Sequence, residues 1–221
     1  TAHAGPAEKF GFQKGDTVAF VGNALADRMH KDGWLETLLQ AGLKDQEVRF
    51  RNMGVSGDRV DALPRSKGVP SNADILSHIK ADVVFAFFGY NESYAGVEKA
   101  DAYRKSLAEF VNSIRTLKPN GKSAPRIVLF SPIAHEDLKT SNLPSGAENN
   151  VRLEAYANAT AAAAHELGVT CVDLFHPTLD LYRSSKTPLT INGIHLNQAG
   201  NKALAEVIAK SLLGTEVQAS P

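Results

Sequence analysis

The feature that most restricts what this chain can fold into is a set of short apolar runs closed by glycine or proline. "DVVFAFFG", residues 82–89, carries no polar side chain between Asp82 and Gly89. A strand with one wet face alternates apolar and polar residues, whereas a strand covered on both faces does not. Further strands are read at 16–22 ("DTVAFVG"), 125–132 ("PRIVLFSP") and 169–175 ("VTCVDLF"), and at 46–54 ("QEVRFRNMG"), where charged residues alternate with apolar ones. The stretches between them have helical spacing. In 33–43, Leu35, Leu38, Leu39 and Leu43 form one stripe; in 101–118, Leu107, Phe110, Val111, Ile114 and Leu117 form another. Segments 71–81, 147–168 and 197–214 complete the helices, the first with a Ser or Asn start. Strands alternating with helices predict an α/β fold, one parallel five-stranded sheet between two helical layers. The 221 residues suit a single domain over 1–221, with a core from about 14 to 214.

Charge narrows the partners. Lys plus Arg and Asp plus Glu are 24 each, so the chain has no net field to draw it to nucleic acid or an anionic membrane. No apolar run approaches the roughly 20 residues of a membrane span. The expected partner is therefore a small molecule or carbohydrate, with no nucleic acid and no membrane insertion. The lone Cys171 excludes an internal disulfide and reads as a small core residue. No cofactor motif and no metal-ligand spacing is present, and the absence of Cys-x-x-Cys-His leaves no covalent haem site. The first residue is Thr1, which points to a processed or excised piece, either a mature exported protein or a part of a larger multidomain one. An extracytoplasmic setting, periplasmic or secreted, is the expectation.

In a parallel sheet, ligands bind beyond the carboxyl ends of the strands. Four segments belong there: Gly22-Asn23-Ala24-Leu25, "RNMGVSGD" (51–58), Gly89-Tyr90-Asn91-Glu92-Ser93, and Asn192-Gly193-Ile194-His195 before the last helix. Their order and content resemble the SGNH (GDSL-type) hydrolases. The second block matches that family at Asn52, Gly54, Ser56 and Gly57, the third at Gly89 and Asn91, and the last at His195, Leu196 and Asn197. The resemblance covers nearly the whole chain and implies a flavodoxin-like three-layer fold. It also implies a catalytic histidine at His195 and an oxyanion site built from Gly54, Asn91 and the Ala24 N–H. "GNALADRM", "FFGYNES", "SPIAHEDL" and "LTINGIHLN" further resemble the atypical GDSL-like domains of planctomycete and verrucomicrobial proteins.

Three positions depart from the family pattern. Ala24 stands where the nucleophilic serine belongs, so serine acyl-enzyme chemistry is unavailable there. Asn23 replaces the usual aspartate beside it. Asn192 replaces the aspartate that orients the histidine, so it can hold the ring but cannot stabilise an imidazolium by charge. Three departures together argue for natural divergence over a single inactivating replacement. Asn23, Ser56, Asp58, Tyr90, Glu92, His135 and Glu136 are the expected substrate contacts. Ser56 and Asp58 also read as turn residues, and the His135–Glu136 loop as a solvated one.

The resemblance and the departures together lead to a hydrolase with an altered site, acting on a carbohydrate or its O-acyl ester with His195 as general base. Three alternatives stand beside it. One is a non-catalytic carbohydrate-binding pseudoenzyme. Another is glycosidic chemistry by Asp58, Glu92 or Glu136, which needs carboxyls about 5 to 9.5 Å apart. The last is a serine-to-alanine inactivated form of an ordinary esterase.

Overall fold

The computed structural model describes residues 9–64 and 68–218; the ends of the expected domain, 1–8 and 219–221, lie outside the described residues. The fold is a single α/β unit around five parallel strands. These are β1 (Thr17–Gly22), β2 (Arg49–Asn52), β3 (Val83–Phe87), β4 (Arg126–Phe130) and β5 (Thr170–Val172). Their order across the sheet is β2-β1-β3-β4-β5, with Phe20 beside Asn52 on one side and beside Phe85 on the other. This is the flavodoxin-like order, whose direction of winding reverses between β1 and β3. The crevice that such sheets use for ligands therefore opens where β1 and β3 end.

The apolar runs are strands because both faces are covered. Along β1, Val18 and Phe20 point to one core and Ala19 and Val21 to the other, as a period of two requires. The first core is closed by α1 (Ala24–Met29), α2 (Trp34–Gly42), α7 (Phe175–Ser184) and α8 (Gln198–Leu213). The second is closed by α3 (Asn72–Ile79), α5 (Ala100–Arg115) and α6 (Ala147–Leu167). A single turn, α4 (Tyr90–Ser93), follows β3. On α6, Ala159, Ala163 and Ala164 are buried, so the alanine-rich stretch lets the helix approach the sheet closely. Ser71 starts α3 with a complete capping box to Asp74.

Three features were not expected from the sequence. α1 and α7 are not marked as helices by the sequence pattern. α1 has six residues, too few to display a helical period, though Asn23 is its N-cap. The core also begins earlier than residue 14. Phe10 is buried, its N–H donates to the Leu212 carbonyl at 3.0 Å, and its ring lies 6.2 Å from that of Phe85. Among the described residues no helix is long and apolar enough to cross a membrane.

Candidate active site

The crevice is set by close contacts that only glycine permits. Gly22 ends β1 at φ +130°, and a Cβ there would collide with the Phe87 carbonyl of β3. β1 and β3 can thus deliver their following residues, Asn23–Ala24 and Tyr90–Asn91, to one place. Gly54 serves differently: its backbone is ordinary, but a Cβ would lie 2.5 Å from the Asp27 N and 2.7 Å from the Ala26 Cβ. The loop after β2 is therefore pressed against α1.

A cavity of about 160 Å³ lies at this end of the sheet. A void of about 150 Å³ is known to hold a benzene-sized ring. Its polar wall is Asn23, Arg28, Asn91, Ser131, His195 and Asn201; Leu25, Phe87, Tyr90, Tyr94, Ile133 and Ile194 supply much of the apolar wall, and Ala24 completes the rim. Ala24, Asn91 and His195, read from three separate segments, share this one cavity.

The hydrogen bonds around His195 settle which of its nitrogens is the base. The Asn192 side-chain oxygen accepts from the Ile194 N–H at 3.2 Å and the His195 N–H at 2.9 Å. Two amide donors mean that this atom is the oxygen and not the nitrogen of the amide. The same oxygen lies 3.2 Å from His195 Nδ1, so Nδ1 carries the proton and Nε2 is the free base. Burial, followed by the nearby Arg28 and Lys31 cations, pushes the imidazole below its ordinary value. At neutral pH the ring is uncharged.

The loop that carries His195 rests on "SPIAHEDL". Glu136 is buried and its carboxylate accepts from the Leu189 N–H (3.0 Å), the Thr190 N–H (2.7 Å) and the Thr190 hydroxyl (2.6 Å). Its own N–H donates to the Gly193 carbonyl at 2.9 Å. His135 is buried beneath Gly193, where a Cβ would strike its ring. Its Nδ1 accepts from the Asn149 amide at 2.9 Å, and burial holds its pKa below the ordinary value. Both residues were expected at the substrate or in a solvated loop. Instead they form the floor under the loop that carries His195: the Glu136 carboxylate is taken up by residues 189–190, and His135 Nδ1 by the Asn149 amide.

Other expected contacts also lie away from the cavity. Glu92 turns back to accept from the Gly89 N–H at 2.8 Å and the Val60 N–H at 2.7 Å, tying α4 to the loop after β2; burial raises its pKa. Ser56 donates its hydroxyl to Asp27 at 2.5 Å and joins its loop to α1. Asp58 is buried, and its carbonyl accepts from the Asn91 Nδ2 at 3.0 Å. The Gly54 N–H donates to the Asn52 side chain at 3.0 Å, so this donor is engaged within its own turn. No Asp or Glu among the described residues lines the cavity, which removes the geometric basis for the carboxylate glycosidase reading. Asn23 does line it, while its side-chain oxygen caps α1 through the Leu25 N–H at 3.0 Å.

Arg28 and Ser131 were not singled out from the sequence. Ser131 lies in a serine–aspartate–histidine group that does not include His195: its hydroxyl is 3.1 Å from Asp173, which is 2.7 Å from His176 Nδ1. The aspartate sits between the other two, so the histidine cannot take the serine proton. The Ser131 oxygen also accepts from the Leu174 and Phe175 N–H groups, which makes it the start of α7. Burial pushes the Cys171 thiol up to about 12, so it stays protonated. Among the described residues, no three His, Cys, Asp or Glu side chains gather as metal ligands.

The model of the GDSL-like Lipase/Acylhydrolase family matches residues 17–203, from the first residue of β1 into α8. The chain belongs to this family. Among solved structures, the acetylxylan esterase Axe2 from Geobacillus stearothermophilus superposes with a TM-score of 0.69 at 20% identity, over 95% of this chain and 99% of its own. BT4096, a gut microbial diltiazem-metabolizing enzyme, gives a TM-score of 0.73 at 17% identity, over 94% of this chain and 49% of its own. The GDSL esterase/lipase WDL1 of Oryza sativa subsp. japonica is 24% identical over 148 residues, 63% of this chain and 56% of that protein. The match thus spans little more than half the length of the rice relative. At these identities the structural likeness is one of fold.

Proposed function

We propose that this GDSL-family domain hydrolyses O-acyl esters of carbohydrates with His195 activating water directly. The observation that carries this reading is the uncharged His195, its Nδ1 proton held by Asn192, in one cavity with Ala24 and Asn91. Water held at Nε2 attacks the acyl carbon and gives its proton to Nε2. The tetrahedral oxyanion faces the Ala24 N–H, which no intrahelical carbonyl can reach at the first helical position, and the second N–H of the Asn91 amide. Collapse breaks the acyl–oxygen bond, and Nε2 returns the proton to the leaving sugar hydroxyl. Acid and alcohol are released.

Several observations support a sugar ester. The cavity has the size of one ring. Tyr94 is 56% exposed beside the cavity, with its ring 6.2 Å from that of Tyr90, an aromatic wall of the kind sugar faces stack on. Axe2 acts on acetylxylan by its name. Ala24 itself favours one second reading, a binding domain that holds the ester without turning it over.

Hydrolysis of acetylated xylo-oligosaccharides and aryl acetates by the protein and by His195→Ala separates these readings. Turnover that disappears with His195 is the expected result. Turnover equal in both proteins sinks the water-activation mechanism. Saturable sugar binding with no turnover in either favours the binding domain.

A further inference from the structure

Among the described residues Arg28 has no carboxylate partner. It stands on α1 four residues after Ala24, on the same helical face, and side chains on a helix lean toward its N-terminus. Its stem therefore leans over the position the family gives to the nucleophile. The residue is half-buried and lines the cavity with His195. Its Nε is buried without a hydrogen-bond partner. No carboxylate among the described residues lies within 4.0 Å of it, although Asp27 and Asp32 are close in sequence. Asp27 is committed to Ser56, and Asp32 to Asn201. Of its three guanidinium nitrogens only Nε is buried without a partner, which leaves the two Nη groups as the ones a ligand in the cavity would meet.

A half-buried guanidinium is ordinarily paired, because removing it from water is costly without an anion to face it. The cavity offers Arg28 none, since it contains no acidic residue, and Lys31 adds a second positive charge near His195. Arginine is also the side chain best shaped to take a carboxylate through two parallel N–H bonds.

We propose that the ligand of this crevice carries a carboxylate, and that Arg28 is the residue that binds it and selects acidic over neutral substrates. This rests on the reading of the crevice as a carbohydrate-ester site, but not on hydrolysis taking place there. The carboxylate belongs either to an acidic sugar or to a dicarboxylic acyl arm, and one experiment distinguishes them.

Calorimetric titration at constant ionic strength uses sodium glucuronate, glucose, sodium succinate and sodium sulfate as probes. The proteins are the domain as it stands, Arg28→Gln and Arg28→Lys. Glucuronate or succinate is expected to bind at least about tenfold more tightly than glucose, a preference lost in Arg28→Gln and only partly kept in Arg28→Lys, which retains the charge but not the two parallel N–H bonds. Tighter glucuronate assigns the charge to the sugar; tighter succinate assigns it to the acyl arm. The proposal is overturned by equal binding of glucose, by no binding of any probe, or by a preference that survives Arg28→Gln. Sulfate binding as tightly as the carboxylates, an adventitious anion site, also overturns it. Thermal unfolding keeps the variant informative: an unpaired cation predicts an unchanged or higher Tm in Arg28→Gln, and a marked fall would make Arg28 structural. Hydrolysis of neutral acetylated sugars as efficient as that of their uronate counterparts, with both KM values unchanged in Arg28→Gln, would refute this inference and leave the hydrolase reading standing. Carboxylate binding without turnover would do the reverse.

Discussion

At the scale of single residues, the chemistry turns on two side-chain differences that are almost isosteric with what the family uses. Asn192 orients His195 without charging it. Asn192→Asp would place a carboxylate against Nδ1 and raise the imidazole pKa by about one unit or more. The present ring is held below its ordinary value, so activity should be flat at neutral pH and fall only below about pH 6.5. In Asn192→Asp that fall moves to higher pH, which a pH profile of kcat/KM reads directly. The depressed pKa has a second consequence. The unfolded chain binds the His195 proton more tightly, so stability is lost as pH drops through 6.5 toward the folded value. Ala24→Ser alone should gain little, because the imidazolium it needs has no charge beside it. Ala24→Ser with Asn192→Asp should exceed Ala24→Ser by roughly 10³–10⁴ in turnover of an aryl acetate. Equal rates in the two variants would mean that His195 is not positioned to serve a serine. Gly54 was expected as an oxyanion donor, but its N–H is taken by Asn52 and it does not line the cavity; what the position demands is the absence of a Cβ. Gly54→Ala should cost about 1–3 kcal/mol through the contact with α1, read as a lowered Tm.

At the scale of elements, the histidine loop is held by a strut. Glu136 gathers two amides and a hydroxyl of residues 189–190, and donates its own N–H to Gly193. Hydrogen bonds to a charged acceptor are each worth about 1.5–3 kcal/mol, so Glu136→Gln should destabilise the fold measurably. It should also lower kcat more than it raises KM, since it loosens His195 and leaves the Tyr90–Tyr94 wall intact. A KM rise with unchanged kcat would place Glu136 at the substrate after all. "SPIAHEDL" shows why this role was illegible. A Glu on a loop after a strand has the same sequence appearance whether it faces a ligand or the underside of another loop. The partners, Leu189 and Thr190, are more than fifty residues away. α1 and α7 were illegible for another reason. One is too short to show a period, and the other, "FHPTLDLYRS", has a stripe of only three residues, Phe175, Leu179 and Tyr182, with Pro177 near its start.

At the scale of the whole molecule, the sheet is held by phenylalanines stacked across neighbouring strands. Phe20 lies 5.5 Å from Phe85, and Phe87 lies 4.2 Å from Phe130, in parallel planes or nearly so. Phe10 and Phe12, ahead of β1, close the edge of this ladder against Phe85. Phe10→Ala should therefore behave as a core substitution, costing about 3–5 kcal/mol in a urea titration, despite its place before the first strand. A loss within 0.5 kcal/mol would show that the segment is not part of the cooperative unit.

The sequence by itself determined the architecture. Apolar runs without alternation can only be strands covered on both sides, and their alternation with helical stripes leaves a parallel sheet with its crevice at the carboxyl ends. It also determined that Ala24 provides no hydroxyl and Asn192 no charge, because those are properties of the side chains alone. Only the tertiary structure decided which ionisable groups face the ligand. Glu92 and Glu136 turned inward to backbone donors that include Val60, Leu189 and Thr190, far away in the chain, and His135 to the side-chain amide of Asn149. Arg28, an ordinary helix residue in the sequence, lies on the cavity wall because the turn of α1 after Gly22 aims it there. Burial and partnership are properties of pairs of residues far apart in the chain, and a linear pattern carries no record of them.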